Sequence, residues 1–356
     1  MRRRVPVVAA AGGSDATITA QLRCVHVLYE DLPLHRAALN PWVDTRTIFA
    51  IFRWLRRSDS RCILAYTAKP VIYGLLAAAM AGVPRRVAMI TGLGYAFTDG
   101  GGWSRWLIGQ VVQMLYRLSL RRAHWVIFQN PDDRAEFIRR ALVKPERAML
   151  VAGSGVHLGR YAPAPLPAGP LTFLLIARLL RDKGIGEFVA AAKRLRHDHP
   201  AVRFRIVGPL DPNPTALTRQ ELQAWVDSGN IEWPGSVDDV RPEIAACHVY
   251  VLPSFYREGT PRTVLEAMAM ARPIITTDAP GCRETVVNGV NGFLVPPRDV
   301  DSLVIAMQRF IDEPSLITPM GTASRRLAEA RFDVRTVNAR IMAALGIRPG
   351  HHTTPS

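Results

Sequence analysis

Short runs of apolar residues alternate with helical patterns along most of the chain. Ten of these runs predict β-strands: Pro6–Ala10, Cys24–Tyr29, Cys62–Thr67, Val87–Thr91, Trp125–Gln129, Leu171–Ala177, Phe204–Val207, Val249–Leu252, Ile274–Thr277 and Phe293–Val295. The runs are continuously apolar rather than alternating with polar residues, which is typical of strands buried on both faces. The pattern therefore predicts buried parallel sheets.

Segments with helical periodicity lie between these strands. They are Arg46–Arg57, Trp103–Arg121, Asp132–Leu142, Gly184–Arg196 and Thr263–Met270, and a last helix is predicted over Val334–Leu345. Alternation of strands and helices indicates an α/β fold in which helices cover both faces of each sheet.

A proline-rich segment, Ala162–Pro170, interrupts this alternation near the middle of the chain. Proline lacks a backbone donor and its ring disfavours helix, so the segment predicts a semi-rigid linker. We therefore expect a first domain over 1–165 and a second over 166–333, facing each other across a cleft. The helix at 334–346 is expected to pack back on the first domain, and the polar tail 347–356 to be disordered.

The charge of the chain points to an anionic partner. The 356 residues include 45 lysines and arginines against 30 acidic residues, a formal net charge of +15. Nucleic acid, anionic lipid and phosphate-bearing ligands are all compatible with this excess. The arginines are dispersed and no nucleic-acid-binding motif accompanies them, which disfavours nucleic acid.

The spacing of the cysteines and the length of the apolar runs further limit the classes of protein that fit this sequence. The longest apolar run, about Val71 to Val83, is too short to span a bilayer. No CxxC pair occurs, which argues against a zinc site or a disulfide framework and favours a reducing cytosol. The cysteines are Cys24, Cys62, Cys247 and Cys282.

The stretch Tyr256–Met270 has the highest concentration of candidate functional residues, and two glutamates are the main ones. Glu258 lies in a predicted loop and Glu266 in the following helix, so the two carboxylates could accept hydrogen bonds from different hydroxyl groups of one ligand. Thr260 is a candidate N-cap with Pro261 at the first helical position. The free amides of such a helix start suit a diphosphate. Alternatively, Glu266 merely pairs with an arginine and Glu258 is solvated.

A second cluster follows the strand Leu171–Ala177. Arg178 and Lys183 are five residues apart in a strand-to-helix loop, where both could reach one phosphate group. Arginine offers a planar fork and lysine a point charge, a complementary pair for a diphosphate. The alternative is a basic loop that is simply solvated.

Together these motifs resemble the retaining GT-B glycosyltransferases of family GT4. The resemblance also includes the stretches Arg272–Glu284, Asn288–Arg298, Met89–Tyr95, Phe128–Asp133 and Gly153–Val156. The sequence is similar in particular to the branch of this family that adds N-acetylgalactosamine to undecaprenyl-diphosphate-linked acceptors. The fold it implies is GT-B: two Rossmann-like, doubly wound α/β domains facing a cleft.

The resemblance also implies roles for individual residues. Arg178 and Lys183 would bind the donor diphosphate, Glu258 the transferred sugar and Glu266 the ribose hydroxyls. The further donor contacts would be Gly259, Thr260, Pro261, Arg262 and Thr263 for phosphate or sugar, and Val207, Gly208, Ser236 and Val237 for the base. The acceptor side would include Thr91, Gly92, Gly94 and Tyr95.

The activity implied is transfer of a hexose or N-acetylhexosamine from a nucleotide sugar, UDP-linked by family, to a lipid-linked saccharide. Front-face substitution would retain the anomeric configuration, with neither metal nor cofactor. The place of action would be cytoplasmic, peripheral at the inner face of the plasma membrane. Alternatives are a GT-B sugar-nucleotide epimerase, or an inactive donor-binding protein.

The start of the chain departs from this branch, whose members open with a strand, a glycine-bearing loop and a helix before the segment that Pro6–Ala10 resembles. We expect that unit to be absent, with Pro6–Ala10 as the second strand and a gap or uncovered edge beside Val87–Thr91. Alternatively, Pro6–Ala10 is the first strand and Gly12–Gln21 a shortened crossover. The strand would then lie centrally, between two parallel neighbours. Many relatives also carry a histidine at the cleft end of Val87–Thr91, where this chain has Thr91-Gly92.

The segment Trp103–Arg122 mixes tryptophan and leucine with four arginines. A basic amphipathic surface of this kind suits an anionic membrane. The alternative is an ordinary helix whose apolar stripe faces the core.

Overall fold

The computed structural model describes residues 6–13, 15–34, 41–92, 103–213 and 216–347. Gly94, Tyr95 and the tail from residue 348, about which the sequence makes predictions, lie outside the described residues. The strands are β1 (Val8–Ala11), β2 (Leu28–Asp31), β3 (Cys62–Tyr66), β4 (Arg85–Ile90), β5 (Trp125–Phe128), β6 (Ala148–Leu150), β7 (Thr172–Ile176), β8 (Arg203–Val207), β9 (Val249–Leu252), β10 (Ile274–Thr277) and β11 (Gly292–Val295).

Helices connect these strands in the alternating order that the sequence predicts. They are α1 (Ala16–Cys24), α2 (Pro41–Arg57), α3 (Leu75–Met80), α4 (Trp103–Leu120), α5 (Pro131–Arg139), α6 (Ile185–Asp198), α7 (Arg219–Asp227), α8 (Arg241–Ala245), α9 (Arg262–Ala269), α10 (Val300–Asp312), α11 (Ile317–Arg331) and α12 (Val334–Leu345). The α/β prediction is therefore confirmed.

The second domain is built on a single parallel sheet with strand order β11-β10-β9-β7-β8. Every residue of β7, β9 and β10 is buried, as their continuously apolar sequences predict. Phe173 on β7 pairs with Phe204 on β8, and their rings stack with centroids 5.4 Å apart. Phe188 of α6 packs edge-on against Phe204, which places the core between the sheet and its helices.

The first domain has two separate parallel sheets in the described residues. One is a four-stranded sheet of order β3-β4-β5-β6, and the other is the pair β1-β2. The helix α1 crosses over between β1 and β2, and Asp15 caps it by accepting from the amides of Thr17 and Ile18. Leu32, which follows β2 and is buried, attaches the pair to the core of the domain.

Three expectations about this region are corrected. The strand predicted at Cys24–Tyr29 begins later, because the capped helix α1 extends through Cys24. The described β1 has one parallel neighbour rather than two. No edge is uncovered beside β4, because β3 and β5 both pair with it and leave Val87 and Ala88 fully buried.

The last helix, α12, packs on the first domain rather than on the domain that precedes it in sequence. Val337 and Ala344 of α12 share a buried cluster with Val87, Met89 and Ile127 of the first sheet. The Arg85 guanidinium also donates to the Ala344 carbonyl at 2.7 Å. The chain therefore crosses between the domains twice.

Candidate functional site

An ion pair lies at the carboxyl edge of the second sheet. Lys183 Nζ is 2.6 Å from Glu258 Oε2, and both side chains are mostly buried, with 11% and 16% exposed. Ser254, just after β9, donates to the other oxygen, Glu258 Oε1, at 3.0 Å. The Lys183 ammonium also lies 5.3 Å from the centre of the Tyr256 ring. Two of the residues predicted for the site are thus in direct contact.

Local backbone geometry explains this contact. Lys183 ends a short turn, and the next residue, Gly184, has a φ of +75°. A Cβ at Gly184 would lie 2.1 Å from the Pro253 carbonyl oxygen, so only glycine allows this turn to pack on the segment after β9. The lysine and the Glu258 loop are thereby held together.

Cys282, a buried thiol, lies near this pair. Burial raises the pKa of the Cys282 thiol to about 12, the nearby Glu258 carboxylate raises it further, and Lys183 lowers it. The thiolate is the reactive form of cysteine, so a thiol that stays protonated near pH 7 supplies no covalent chemistry.

Glu266 is buried in α9 and keeps protein partners. Its carboxylate lies 3.2 Å from Arg262 Nε and is hydrogen-bonded to the Tyr161 side chain. Burial raises the pKa of Glu266, while the Tyr161 hydrogen bond and Arg262 act in the opposite direction. The simple alternative, in which Glu266 pairs with an arginine, describes this arrangement. The same alternative expected Glu258 to be solvated, and that part is wrong because Glu258 pairs with Lys183.

The start of α9 differs from the prediction by one residue. Pro261 is the N-cap and Arg262 is the first helical residue. The Thr260 hydroxyl does not cap the helix but donates to the Gln129 carbonyl of the first domain at 3.1 Å. The physical reason is that Pro261 has the extended backbone that an N-cap needs, with a ψ of 119°.

Several groups predicted to contact the donor have protein partners here. The Gly259 amide donates to the Thr91 carbonyl of the first domain at 3.0 Å. The Thr263 hydroxyl accepts from Tyr250 at 2.7 Å and donates to the Ile176 carbonyl at 3.1 Å. The first-turn amides of α9, beginning at Arg262, have no carbonyl of their own helix to bind, as at any helix start.

Arg178 lies next to a depression at the edge of the second sheet. Its guanidinium is about half exposed and donates to Asp211 at 2.9 Å. The depression, of about 400 Å³, contains the predicted Ser236 and is lined by Pro209, Leu210, Arg219, Trp233, Pro234, Gly235 and Ser236. Arg219 covers the Trp233 ring at 5.6 Å.

The other residues predicted to contact the base lie deeper. Val207 is 1% exposed and belongs to the core, while Val237 packs on it from the outside. Gly208 has a φ of +151°, and a Cβ there would lie 1.8 Å from the Ala177 carbonyl oxygen. Its carbonyl accepts from the Trp233 indole at 3.1 Å, so Gly208 shapes the wall of the depression.

The first domain contacts the site through Thr91-Gly92, at the carboxyl end of β4. Gly92 has a φ of +127°, and a Cβ there would lie 2.9 Å from the Arg257 carbonyl oxygen. Thr91 and Gly92, which the resemblance predicts on the acceptor side, thus lie directly against the loop that carries Glu258. The same close approach leaves no space for a histidine at position 92.

Sequence reasoning missed a polar group on the first domain that contacts the same loop. Asn130 donates to the carbonyls of Glu258 and Gly259 at 3.2 and 3.3 Å, while its Oδ1 caps α5 by accepting from the Asp133 amide. Burial raises the pKa of Asp133 to about 6, although its hydrogen bond from Asn130 lowers it. The available signal was a polar Gln-Asn pair directly after the buried strand β5.

Two parallel α/β domains in contact at this site are the arrangement of the GT-B fold. Residues 1–153 match the family described as "Glycosyl transferase 4-like domain", and residues 170–313 match "Glycosyl transferases group 1". The chain belongs to this glycosyltransferase family, as its resemblance to family GT4 predicts.

Among curated relatives, the chain is similar to an N,N′-diacetylbacillosaminyl-diphospho-undecaprenol alpha-1,3-N-acetylgalactosaminyltransferase of Campylobacter jejuni. The two are 30% identical over 304 residues, which cover 82% of this chain and 77% of that protein. It is also 25% identical, over 77% of its length and 72% of the other protein, to a UDP-Gal:alpha-D-GlcNAc-diphosphoundecaprenol alpha-1,3-galactosyltransferase of Escherichia coli.

Solved structures show the same fold. Anabaena Alr3699/HepE in complex with UDP superposes with a TM-score of 0.76 at 20% identity, covering 95% of this chain and 91% of that one. Sucrose-phosphate synthase from Thermosynechococcus elongatus superposes with a TM-score of 0.78 at 19% identity, covering 96% and 98%. The predicted GT-B fold is confirmed.

None of the described helices combines the length and the apolar character needed to cross a membrane. Within the same residues, no group of three or more histidine, cysteine, aspartate or glutamate side chains is arranged to hold a metal ion.

Proposed function

We propose that this glycosyltransferase moves a hexose or N-acetylhexosamine from a UDP-sugar to a saccharide carried on a lipid diphosphate. The names of the Campylobacter and Escherichia relatives support this acceptor class, since both describe transfer to diphospho-undecaprenol-linked sugars. A lipid-linked acceptor places the reaction at a membrane, and we propose the cytoplasmic face, during assembly of a bacterial surface polysaccharide. Peripheral association suffices for that location.

The contact between Lys183 and Glu258 carries the proposal. The bond to be broken joins the sugar to the terminal phosphate of the donor. A residue that contacts the sugar and a residue that contacts the phosphate must therefore be neighbours. Glu258 and Lys183 have the right chemistry for these two tasks and lie 2.6 Å apart. Both also lie where Thr91-Gly92 of the first domain closes on the second.

The chemistry follows from that arrangement. The bond between the anomeric carbon and the phosphate oxygen breaks, and a bond to the acceptor oxygen forms on the same face of the sugar. The acceptor proton passes to the departing phosphate oxygen. Lys183 and Arg178 would stabilise the charge that grows on the diphosphate, which is where a fixed cation contributes most to rate. No metal ion enters this scheme.

The test has two parts. Nucleotide sugars are screened with membrane extract or a lipid-diphosphate saccharide, and the product is analysed by mass and by NMR of its anomeric proton. A new lipid-linked sugar with the donor's anomeric configuration, formed in the presence of a chelator, is the expected result. An inverted product, or activity lost with the chelator, would contradict the proposed mechanism, and an epimerised free nucleotide sugar would contradict the transfer itself.

A matched pair of variants tests the role of Lys183. Replacing this cation by methionine should lower the transfer rate by about 100-fold or more, the loss typical of one group that stabilises developing charge. Arg181, two residues earlier, is the control: its guanidinium faces Glu221 rather than Glu258. Arg181→Gln should leave the rate close to that of the unchanged protein. Equal losses in both variants would show that the loop, not the lysine, matters.

A further inference from the structure

A pocket lined by five arginines lies on the first domain, at the end of the sheet opposite the cleft. The pocket has a volume of about 430 Å³. Its lining residues are Arg85, Arg86, Arg121, Arg122, Ala123, His124, Trp125, Glu146 and Arg147. They come from the amino ends of β4 and β5, from the end of α4 and from the segment before β6. The donor site uses none of them.

The described residues form no ion pair that would compensate the charge of these arginines. In the part of the chain that the structure describes, none of the five guanidinium groups pairs with a carboxylate, whereas many arginines elsewhere do. Glu146 is the one carboxylate among the lining residues. Burial and the neighbouring Arg86 and Arg85 lower the pKa of His124 and so disfavour its charged form.

Carbonyl groups instead hold several of these arginines in place. Arg86 donates to the Arg122 carbonyl at 2.7 Å and to the Val83 carbonyl at 2.5 Å. Arg147 donates to the Ala123 carbonyl at 3.3 Å. Such bonds orient a guanidinium without neutralising it, so the pocket presents fixed positive charge to an anion.

An exposed apolar stripe on α4 leads to this pocket. Its members are Leu107, Val111, Met114 and Leu118, each between 43% and 59% exposed. They are spaced by four, three and four residues, so they share one face of the helix. The opposite face, with Val112 and Tyr116, is buried in the core. The alternative of an ordinary helix with a core-facing apolar stripe therefore describes one face of α4, and a second apolar stripe is left exposed on the other.

We propose that the arginine pocket binds the phosphates of anionic lipid headgroups while the α4 stripe enters the headgroup boundary of the same bilayer. Apolar side chains beside fixed arginines suit a lipid surface, whereas a nucleic acid would need no such stripe. The helix has 18 residues, which corresponds to a length of about 27 Å. It runs from the cleft side of the sheet to the pocket, so lying flat it brings the cleft to the membrane. This inference rests on the proposed lipid-linked acceptor.

The test is sedimentation of the full chain with vesicles, without donor or acceptor. One set contains phosphatidylglycerol in phosphatidylcholine and the other phosphatidylcholine alone. Arg121 and Arg122 are exposed and their side chains support no described hydrogen bond, so Arg121→Gln with Arg122→Gln should leave the fold intact. This double variant should bind the anionic vesicles about 30-fold more weakly, the loss expected for two basic residues at an anionic surface.

Two further variants complete the design. Lys193→Gln with Arg326→Gln removes the same charge from exposed positions of the second domain and should bind like the unchanged protein. Met114→Gln with Leu118→Gln should also weaken binding, and this loss should persist in high salt. Equal losses in both charge variants would overturn the pocket assignment. Binding of an oligonucleotide that depends on the arginines but not on the stripe would overturn the lipid assignment.

The outcome is separable from that of the proposed function. Vesicle binding requires neither a nucleotide sugar nor an acceptor. Failure to transfer sugar, with arginine-dependent vesicle binding intact, would contradict the function and leave the membrane surface standing. Transfer to a detergent-solubilised acceptor by a chain that ignores anionic vesicles would contradict only the membrane surface.

Discussion

The two domains of this protein share one architecture but differ in how completely each buries its sheet. In the second domain, one continuous core extends from β7 through α9 to α11. In the first, the described strands form two separate sheets, and α1, between β1 and β2, has no buried residue. The apolar side chains Ile18, Val25 and Leu28 of that region are 50% to 66% exposed.

This difference teaches that the burial of a strand, more than its apolar sequence, decides how much it stabilises a domain. β1 has the sequence Val-Ala-Ala-Ala and remains partly exposed, while β7, Thr-Phe-Leu-Leu-Ile, is buried at every position. Because hydrophobic stabilisation scales with the apolar area removed from water, the second domain should be the more stable body. Four predictions follow, in order of decreasing effect.

The largest effect is expected at Arg272, which is fully buried although it has no carboxylate partner in the described chain. It donates to the carbonyls of Ala164 and Pro165 in the linker, at 2.8 and 2.9 Å, and to those of Ile244 and Ala245 at the end of α8. Arg272→Met removes all these donors at once. A hydrogen bond from a charged donor contributes about 1.5–3 kcal/mol, so the loss of these four should reach about 4 kcal/mol or more in total.

Urea unfolding followed by circular dichroism checks this effect. Arg326→Met, at an exposed position of α11, is the control and should shift the midpoint very little. A small shift for Arg272→Met would mean that other contacts hold the linker. The Arg272 hydrogen bonds would then contribute less to the stability of the second domain than their geometry indicates.

A matched pair of core variants tests the comparison directly. Phe188→Ala removes a fully buried ring from the second domain, and a loss of about 3–5 kcal/mol in the free energy of unfolding is expected. Ile18→Ala in α1 of the first domain removes a side chain that is 50% exposed, and the loss should stay within about 0.5 kcal/mol. The same urea experiment measures both. A loss at Ile18 close to that at Phe188 would show that α1 is covered in solution.

The strands of the second domain were the easiest elements to predict from the sequence. Val249–Leu252 and Ile274–Thr277 match the observed β9 and β10 to the residue. Both runs are short, and each is bounded by a proline on one side and a polar residue on the other. Burial on both faces leaves no alternating pattern that could be misinterpreted. Around β1 and β2 the side chains are half exposed, so burial does not mark where β2 begins. The helix α1, which Asp15 caps, extends through Cys24 and delays the start of β2.

The residues of the candidate site could be predicted where they belong to a sequence motif, but the contacts between them could not. Lys183 and Glu258 are 75 residues apart, and their contact depends on how the loops after β7 and β9 pack. Asn130 lies on the other domain, and its bonds to the Glu258 loop have no counterpart in local sequence. Long-range contacts of this kind depend on the relative position of the domains, which neither periodicity nor capping signals contain.

Asp133 provides a pH-dependent prediction on the first domain's side of the interface. Burial raises the pKa of this carboxyl from its ordinary value of 3.8 to about 6 in the folded chain. The folded state therefore binds more protons than the unfolded state between these values, and stability falls as pH rises from about 4 to about 6. Two pKa units correspond to about 3 kcal/mol.

Asp133→Asn should remove most of this decline. Its free energy of unfolding, measured by urea at pH 4.5 and at pH 7, should change less than that of the unchanged protein. Asp238→Asn, which removes an exposed carboxylate from the second domain, is the control. A decline that persists in Asp133→Asn would assign the pH dependence to other groups. The pH dependence of stability would then no longer distinguish the interface from the second-domain core.

The smallest effect is expected where the two domains meet at Asn130. The Oδ1 of this side chain caps α5, and its Nδ2 donates to the carbonyls of Glu258 and Gly259 and to the Asp133 carboxylate. Asn130→Ser keeps a good N-cap but removes the donor that reaches the second domain. Because the cap is retained and only the Nδ2 donor is lost, stability should fall by about 1 kcal/mol, the net contribution of a typical hydrogen bond.

Transfer activity should respond more than stability. Without the Asn130 donor, the Glu258 loop loses two bonds to the first domain, and kcat/KM should fall by about tenfold, the equivalent of one hydrogen bond of about 1.4 kcal/mol. Asn130→Asp is the control for shape, since it keeps the cap and the side-chain size while it also removes the donor. A loss of activity in Asn130→Ser that Asn130→Asp does not share would show that side-chain volume, rather than the bonds across the cleft, positions Glu258.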